Sequence, residues 1–265
     1  MIIAVHSYKG GTGKTLISLN LAALFAKMGK RVCLIDLDLR APSLCTTFGK
    51  RNRFWVNDYL SKACTIENVL TDCSSNIALK GKLCVGLANP SIEAIREMTA
   101  KDRKWEMEAL GRLVSLRRVL MDDLHFDYVF FDTSPGLQYS SINAVITADL
   151  ALVVTTTDEA ESEGTRLMIR DLYDLFAKKT AIIINKIDSE CLSAMSRRDG
   201  LIKIGSRQWP IVGALPCFCD ILEDEGRCLY TVEKPNHPFS LMLQEMAKKI
   251  EKLQPATSHG LCQIS

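Results

Sequence analysis

The sequence predicts an α/β fold: a doubly wound, mostly parallel sheet with helices on both faces. Three observations carry the prediction. Short apolar runs recur along the chain with helix-like stretches between them, the alternation from which crossover-linked parallel sheets are built. The runs Asp127–Asp132, Leu150–Thr155, Thr180–Asn185 and Pro210–Leu215 are apolar almost throughout, as strands covered on both faces must be. The first run, Ile2–His6, leads straight into a glycine-rich turn and then a helical pattern, Leu16–Met28. Right-handed crossovers place the C-terminal ends of such strands on one edge of the sheet, where a ligand is expected to sit.

In chain order, Arg31–Asp36 reads as the second strand, and the region Arg40–Leu70 as short helical pieces and turns. Leu83–Leu87 is another strand. Ile92–Met98 and Trp105–Leu124 are helical, the second with apolar residues at helix spacing. Leu241–Leu253 is amphipathic and reads as the last core-packing helix. No internal repeat, low-complexity tract or linker interrupts the pattern, so one domain is expected over residues 1–253, with 254–265 as a loose tail.

Composition narrows the function. A chain of 265 residues can bury a substantial core, and 47% hydrophobic with 24% charged residues is ordinary for a soluble globular protein. A net charge of +2 gives no strong overall field to steer nucleic acid or acidic lipid. No stretch approaches the roughly 18–20 apolar residues of a membrane span. With a strand and not a leader at the N-terminus, a cytoplasmic location is expected. The ten cysteines are scattered and contain no C-x-x-C; reduced thiols are the expectation. Cys217 and Cys219 are the only close pair.

The chemistry centres on Lys9-Gly10-Gly11-Thr12-Gly13-Lys14-Thr15. Strand, glycine-rich turn and helix are the context of a phosphate-binding loop. Glycines allow the backbone to curl so that N–H groups point inward, and the helix adds the positive end of its dipole. Lys14 can then reach the β- and γ-phosphates, and the Thr15 hydroxyl can ligate Mg²⁺. A strict loop of this type has glycine where this chain has Tyr8, and Lys9 opens the loop as a second lysine.

With that loop the sequence resembles the MinD/ParA family of P-loop ATPases, whose deviant loop reads K-G-G-x-G-K-[ST]. The resemblance implies ATP and Mg²⁺ as cofactors, slow hydrolysis, and an ATP-bound homodimer in which Lys9 reaches the nucleotide of the other subunit. Lys9, Lys14 and Asp38 would be catalytic. Leu16 stands where the family often has a second threonine. Asp36-Leu37-Asp38 ends the second strand; by resemblance Asp38 positions the attacking water and Asp36 helps hold the Mg²⁺ shell. Arg40–Leu44 resembles the first switch segment. Asp132, ending an apolar strand, has the pattern of a carboxylate that reaches Mg²⁺ through water, and Gly136 after it allows a backbone amide near the γ-phosphate. A relative, the nitrogenase iron protein, has a cluster-binding cysteine near this second switch, whereas Leu137–Ser141 has none.

Asn185-Lys186-Ile187-Asp188 can read the base. In MinD-like proteins the matching asparagine contacts adenine, while N-K-x-D is also a guanine signature; the two-lysine loop favours ATP. Leu215-Pro216-Cys217 resembles the second base-flanking loop. The nucleotide set is therefore Gly10, Gly11, Thr12, Gly13, Lys14, Thr15, Leu16, Gly136, Asn185, Lys186, Leu215, Pro216 and Cys217, with Thr15, Asp36 and Asp132 around the metal. Basic residues at 101–104, Arg117-Arg118, Arg197-Arg198, Lys203 and Arg207 make DNA a conceivable partner, although at this modest net charge ordinary solvated helix faces explain them better. A protein partner or activator is expected, and direct membrane binding is not, since the tail is neither basic nor amphipathic. Cys262–Ser265 fits a prenylation box only loosely. Two rival readings remain: a metal-insertion or cluster-assembly ATPase of the same fold using Cys217 and Cys219, and an ATP-binding regulator with negligible turnover.

Overall fold

The computed structural model describes residues 1–49, 53–76, 79–174, 176–188, 201–204, 207–224 and 228–253. Cys191, Cys262, Arg197, Arg198, the side chains of Lys203 and Arg207, and the tail 254–265 lie outside the described residues. The strands are β1 (Ile2–His6), β2 (Arg31–Leu37), β3 (Thr71–Asp72), β4 (Lys82–Gly86), β5 (Tyr128–Thr133), β6 (Leu150–Thr155), β7 (Lys179–Ile187), β8 (Leu201–Ile204) and β9 (Arg207–Pro216). They form one sheet in the order β3-β4-β2-β5-β1-β6-β7-β9-β8. All neighbouring pairs from β4 to β9 are parallel, and the two edge strands, β3 and β8, are antiparallel to β4 and β9.

The helices are α1 (Lys14–Lys27), α2 (Cys45–Phe48), α3 (Val56–Leu60), α4 (Ile66–Val69), α5 (Ile92–Ala100), α6 (Arg103–Arg118), α7 (Tyr139–Thr147), α8 (Glu159–Met168), α9 (Cys219–Glu223), α10 (Tyr230–Glu233) and α11 (Pro238–Lys252). Capping side chains start several of them: Ser91 Oγ accepts from the Ala94 amide, Asp102 Oδ1 from Trp105 and Asp158 Oδ1 from Glu161. The helix expected over Trp105–Leu124 changes character at its end. After Arg118 the backbone widens into a π-helical turn, Val119–Asp123, and α8 does the same over Ile169–Tyr173.

The unbroken apolar strands have the reason the sequence suggested. Along β1, Ile2 and Ala4 enter one core while Ile3 and Val5 enter the other. The first core holds residues of α3, α4, α6, α7 and α8; the second holds residues of α1, α10 and α11. Helix α1 is buried from Ile17 to Ala26, because the sheet lies on one side and α10 and α11 close over the other. Among the described residues no helix is long and apolar enough to cross a membrane.

Candidate nucleotide-binding site

Strand β1 is central in the sheet, and its exit is the glycine loop. Gly11 (φ +76°) and Gly13 (φ +92°) both take the left-handed backbone that side-chain-bearing residues avoid. Gly13 also needs its missing Cβ for space, since one would lie 2.4 Å from Asn185 Nδ2. The Gly13 carbonyl starts α1 by accepting from the Ile17 amide at 3.0 Å. Lys14 follows and is only 6% exposed. Burial pushes its pKa down, and the carboxylates of Asp132, Asp38 and Glu161 push it back up.

The carboxylates come from the neighbouring strands. Asp36 and Asp132 are register partners across β2 and β5, so they sit side by side at the sheet edge. Both are fully buried. Asp36 Oδ1 accepts from the Asp38 amide at 3.0 Å, whereas Asp36 Oδ2 and both Asp132 oxygens have no hydrogen bond of normal geometry among the described residues. Burial, then the charges of Asp132 and Asp38, push the Asp36 pKa well above the carboxylate range. Burial lifts Asp132 to about 6, opposed by the nearby Thr15 and Ser18 hydroxyls and by Lys14. Orphaned, buried carboxylate oxygens beside a threonine hydroxyl are the hard donors that a Mg²⁺ ion takes. Thr15, Asp36 and Asp132 therefore fit the metal that the loop implies.

Asp38 joins the segments that follow β2 and β5, which the sequence likens to two switches. Its Oδ1 accepts from Ser134 Oγ at 2.7 Å and from the Ala41 amide at 3.2 Å. Ser43 Oγ of the first switch lies 3.4 Å from Thr15 Oγ1. Gly136, at φ +78°, has its amide on the Ser7 carbonyl at 2.9 Å.

On the side where a base was expected, β7 braces the loop. Asn185 Nδ2 donates to the Thr12 carbonyl at 2.7 Å, and Lys186 Nζ to the Gly11 carbonyl at 2.8 Å. Lys186 has φ +56°, and the β7–β9 register slips between Ile184 and Ile187. That irregularity turns two consecutive side chains toward the loop, where a regular strand would send them to opposite faces.

A cavity of about 460 Å³ opens between these groups. Gly10, Gly11, Gly13, Lys14, Thr15 and Leu16 line it from the loop, Asp38, Ala41 and Pro135 from the switches, and Asn185, Lys186, Pro216 and Cys217 from the base side. Its far wall is apolar: Phe218, Ile221, Leu222 and Phe239. A second opening of about 620 Å³ lies against Lys9–Thr12 and the residues Thr156–Asp158 and Glu161. Lys9 is there, with Nζ 3.4 Å from Asp158 Oδ1. Neither Leu215, whose side chain is in the core, nor Gly136 lines either opening.

Sequence reasoning missed the apolar wall and two buried polar groups, Glu161 and His6. Phe218 beside the base-flanking loop was a local clue to the wall. Cys217 and Cys219 are exposed and free, and among the described residues no three His, Cys, Asp or Glu side chains could hold a metal ion together.

Residues 1–184 match the family described as an AAA domain. The septum site-determining protein MinD of Synechocystis is 29% identical over 256 residues, covering 94% of this chain and 89% of that protein. A cytosolic Fe-S cluster assembly factor NUBP2 homologue from Culex quinquefasciatus is 28% identical over 275 residues, covering 94% and 96%. Among solved structures, MinD of Pyrococcus horikoshii complexed with Mg-ADP superposes with a TM-score of 0.71 at 20% identity, covering 95% of this chain and 96% of that one. With this fold, this loop and these relatives, the chain belongs to the MinD/ParA family of P-loop ATPases.

Proposed function

We propose that the protein binds ATP with Mg²⁺, pairs face to face with a second copy around two nucleotides, and hydrolyses ATP slowly to time the positioning of a partner or cargo. The observation that carries this reading is the division of labour between the loop lysines. Lys14 is buried among carboxylates, whereas the Lys9 side chain is 47% exposed and, among the described residues, meets Asp158, itself 63% exposed, at 3.4 Å, with the charge of Glu161 nearby. A solvated pair of that kind is worth at most about 1 kcal/mol, so Lys9 is readily released to charge on a partner's nucleotide.

In this reading residues 1–253 act as one ATPase domain. The loop amides, Lys14 and Thr15 hold the phosphates. Thr15, Asp36 and Asp132 hold Mg²⁺, which offsets phosphate charge when bound. Asp38 orients the attacking water, with its carboxylate already steadied by both switches. Asn185 and Lys186 flank the base with Pro216 and Cys217; Leu215 contributes backbone only, and Leu16 lines the cavity. Asn185 gives one Nδ2 hydrogen to the Thr12 carbonyl and keeps its second N–H and its Oδ1 for a base, and the two-lysine loop favours ATP. The protein works in the cytoplasm with a protein activator. DNA contact would fall to exposed Arg103, Lys104 and Arg118, since Arg117 and Lys101 are engaged with Asp149 and Glu97.

Light scattering and turnover test the reading with two variants. Lys9→Ala should bind ATP nearly normally yet lose dimerisation and turnover together. Asp38→Ala should collect as an ATP-bound dimer, because the water loses its positioning group while the sandwich remains. A Lys9→Ala protein that dimerises and hydrolyses normally would sink the mechanism, as would an Asp38→Ala protein that stays monomeric in ATP.

The likeness to the cluster-assembly factor, together with exposed Cys217 at the cavity and exposed Cys219 two residues on, favours a second reading as a metal- or cluster-assembly ATPase. Metal content of protein purified without chelators separates the two: stoichiometric iron, zinc or nickel supports the second.

A further inference from the structure

His6 ends β1 one residue before the loop begins to turn, and it is fully buried. Its imidazole is used at both nitrogens. Nε2 lies 2.8 Å from the Gly136 carbonyl, and Nδ1 meets the Tyr173 hydroxyl. A carbonyl only accepts, so Nε2 carries the proton and donates. Nδ1 is then the acceptor, and the single hydroxyl proton of Tyr173 fills it. Burial drives the His6 pKa down to about 4, so the ring is neutral near pH 7 and this one tautomer persists.

The ring is held from behind. Tyr173 is fully buried and closes the π-helical turn after α8. Tyr8, where a strict loop has glycine, fits against Gly164 of α8; a Cβ there would lie 2.1 Å from the Tyr8 ring. Thr133 Oγ1 ties the start of the second switch to the Val5 carbonyl at 2.9 Å. Gly136 is thus gripped on both sides by the end of β1 and the residue after it: its amide on Ser7 and its carbonyl on His6. In this arrangement the amide faces a protein carbonyl, and Gly136 does not line the nucleotide cavity although Pro135 does.

We infer that His6 is a positioning residue that parks the second switch: its bond to Gly136 holds that residue's amide on Ser7, so a nucleoside triphosphate must draw the switch away from His6 whereas a diphosphate need not. This rests on the nucleotide-binding reading above and adds the group that sets the discrimination between tri- and diphosphate. No proton transfer is involved; one hydrogen bond is exchanged for another.

Competition binding of ATPγS and of ADP, each with Mg²⁺, to wild type, His6→Leu, His6→Gln and Tyr173→Phe tests it. In His6→Leu the parked switch loses its donor, and ATPγS should tighten about fivefold relative to ADP, the net worth of one hydrogen bond. Gln can present an amide donor at similar reach, so His6→Gln should restore the wild-type ratio. Tyr173→Phe frees the ring's other anchor and should shift the ratio the same way, by less. A ratio unchanged in His6→Leu, or both affinities falling together as a merely structural role would cause, overturns the inference. Should His6→Leu fail to fold, an unchanged ratio in Tyr173→Phe overturns it. A wild-type chain that binds neither nucleotide refutes the proposed function and this inference with it; normal wild-type binding with a flat ratio across the variants refutes the inference alone.

Discussion

Substituting Gly13 by alanine should strike the loop twice, and the two costs can be separated. Gly13 stands at φ +92° and ψ 18°, where an L side chain costs about 1–2 kcal/mol. The new Cβ would also lie 2.4 Å from Asn185 Nδ2. Asn185 must then move, giving up its 2.7 Å bond to the Thr12 carbonyl. Loss of that bond, with a buried acceptor left behind, adds about 1–3 kcal/mol. The sum is about 2–5 kcal/mol, equal to a fall in Tm of roughly 2–4 °C per kcal/mol in a chain of this size. Urea denaturation of Gly13→Ala, Asn185→Ala and the double variant measures it. Since Asn185 is already displaced by the Cβ, the double variant should be no less stable than Gly13→Ala, a coupling of about 1 kcal/mol or more. Additive single costs, or a Gly13→Ala cost under about 1 kcal/mol, would refute the account of this contact.

Other outcomes follow from the same geometry. Lys14→Ala should abolish binding of fluorescent ATP, because no other side chain replaces its charge; wild-type affinity in that variant contradicts the loop assignment. His6 titrates at about 4 folded and near 6.5 unfolded, so the unfolded chain takes up a proton the native one refuses, and stability is lost as pH falls through that window. Relative to His6→Gln, wild type should lose about 2 kcal/mol by pH ~5 in chemical denaturation, and an equal pH dependence of the two proteins would contradict the neutral buried ring. Gly164→Ala should cost about 1–3 kcal/mol through its clash with Tyr8, and Tyr8→Ala should relieve it; a double variant no better than the single one argues against that packing.

What could be read from the sequence were the local signals. Strands β1, β2, β5, β6 and β7 are long apolar runs, and the loop announces itself through glycines at positions that need them. The edge strands β3, two residues long, and β8, four residues long, are too short for any period to show. The π-helical turns leave no mark in composition. Most opaque are contacts between distant parts of the chain. His6 and Gly136 are 130 residues apart, and Lys186 and Gly11 are 175 apart. Asn185 was expected to serve the base; its amide hydrogen bond to the loop depends on a register slip in β7 that no alternation of residues reveals. Tyr8 could be seen as a departure from the loop pattern, but its complement, Gly164, lies on a helix that the sequence did not connect to it.

The two flanks of the loop are built differently, and that difference has a consequence for how affinity and timing relate. On the base side a strand reaches in with two side chains, and both grip loop carbonyls at 2.7 and 2.8 Å. On the phosphate side the joins are between segments: Ser134 to Asp38, Asp38 to Ala41, Ser43 toward Thr15, Gly136 to His6 and Ser7. The neutral ones are worth about 0.5–1.5 kcal/mol each and the two on the Asp38 carboxylate about 1.5–3 kcal/mol, so each is within reach of exchange for a contact to phosphate. In the proposed reading the difference between tri- and diphosphate would be registered on this flank. Changes to the rigid flank, such as Gly13→Ala or Asn185→Ala, should weaken both nucleotides alike, and changes at His6 should move only their ratio. In the proposed cycle, affinity and discrimination would be set by different residues on opposite sides of one loop, so the lifetime of the proposed dimer could be tuned on the switch side without loss of nucleotide binding.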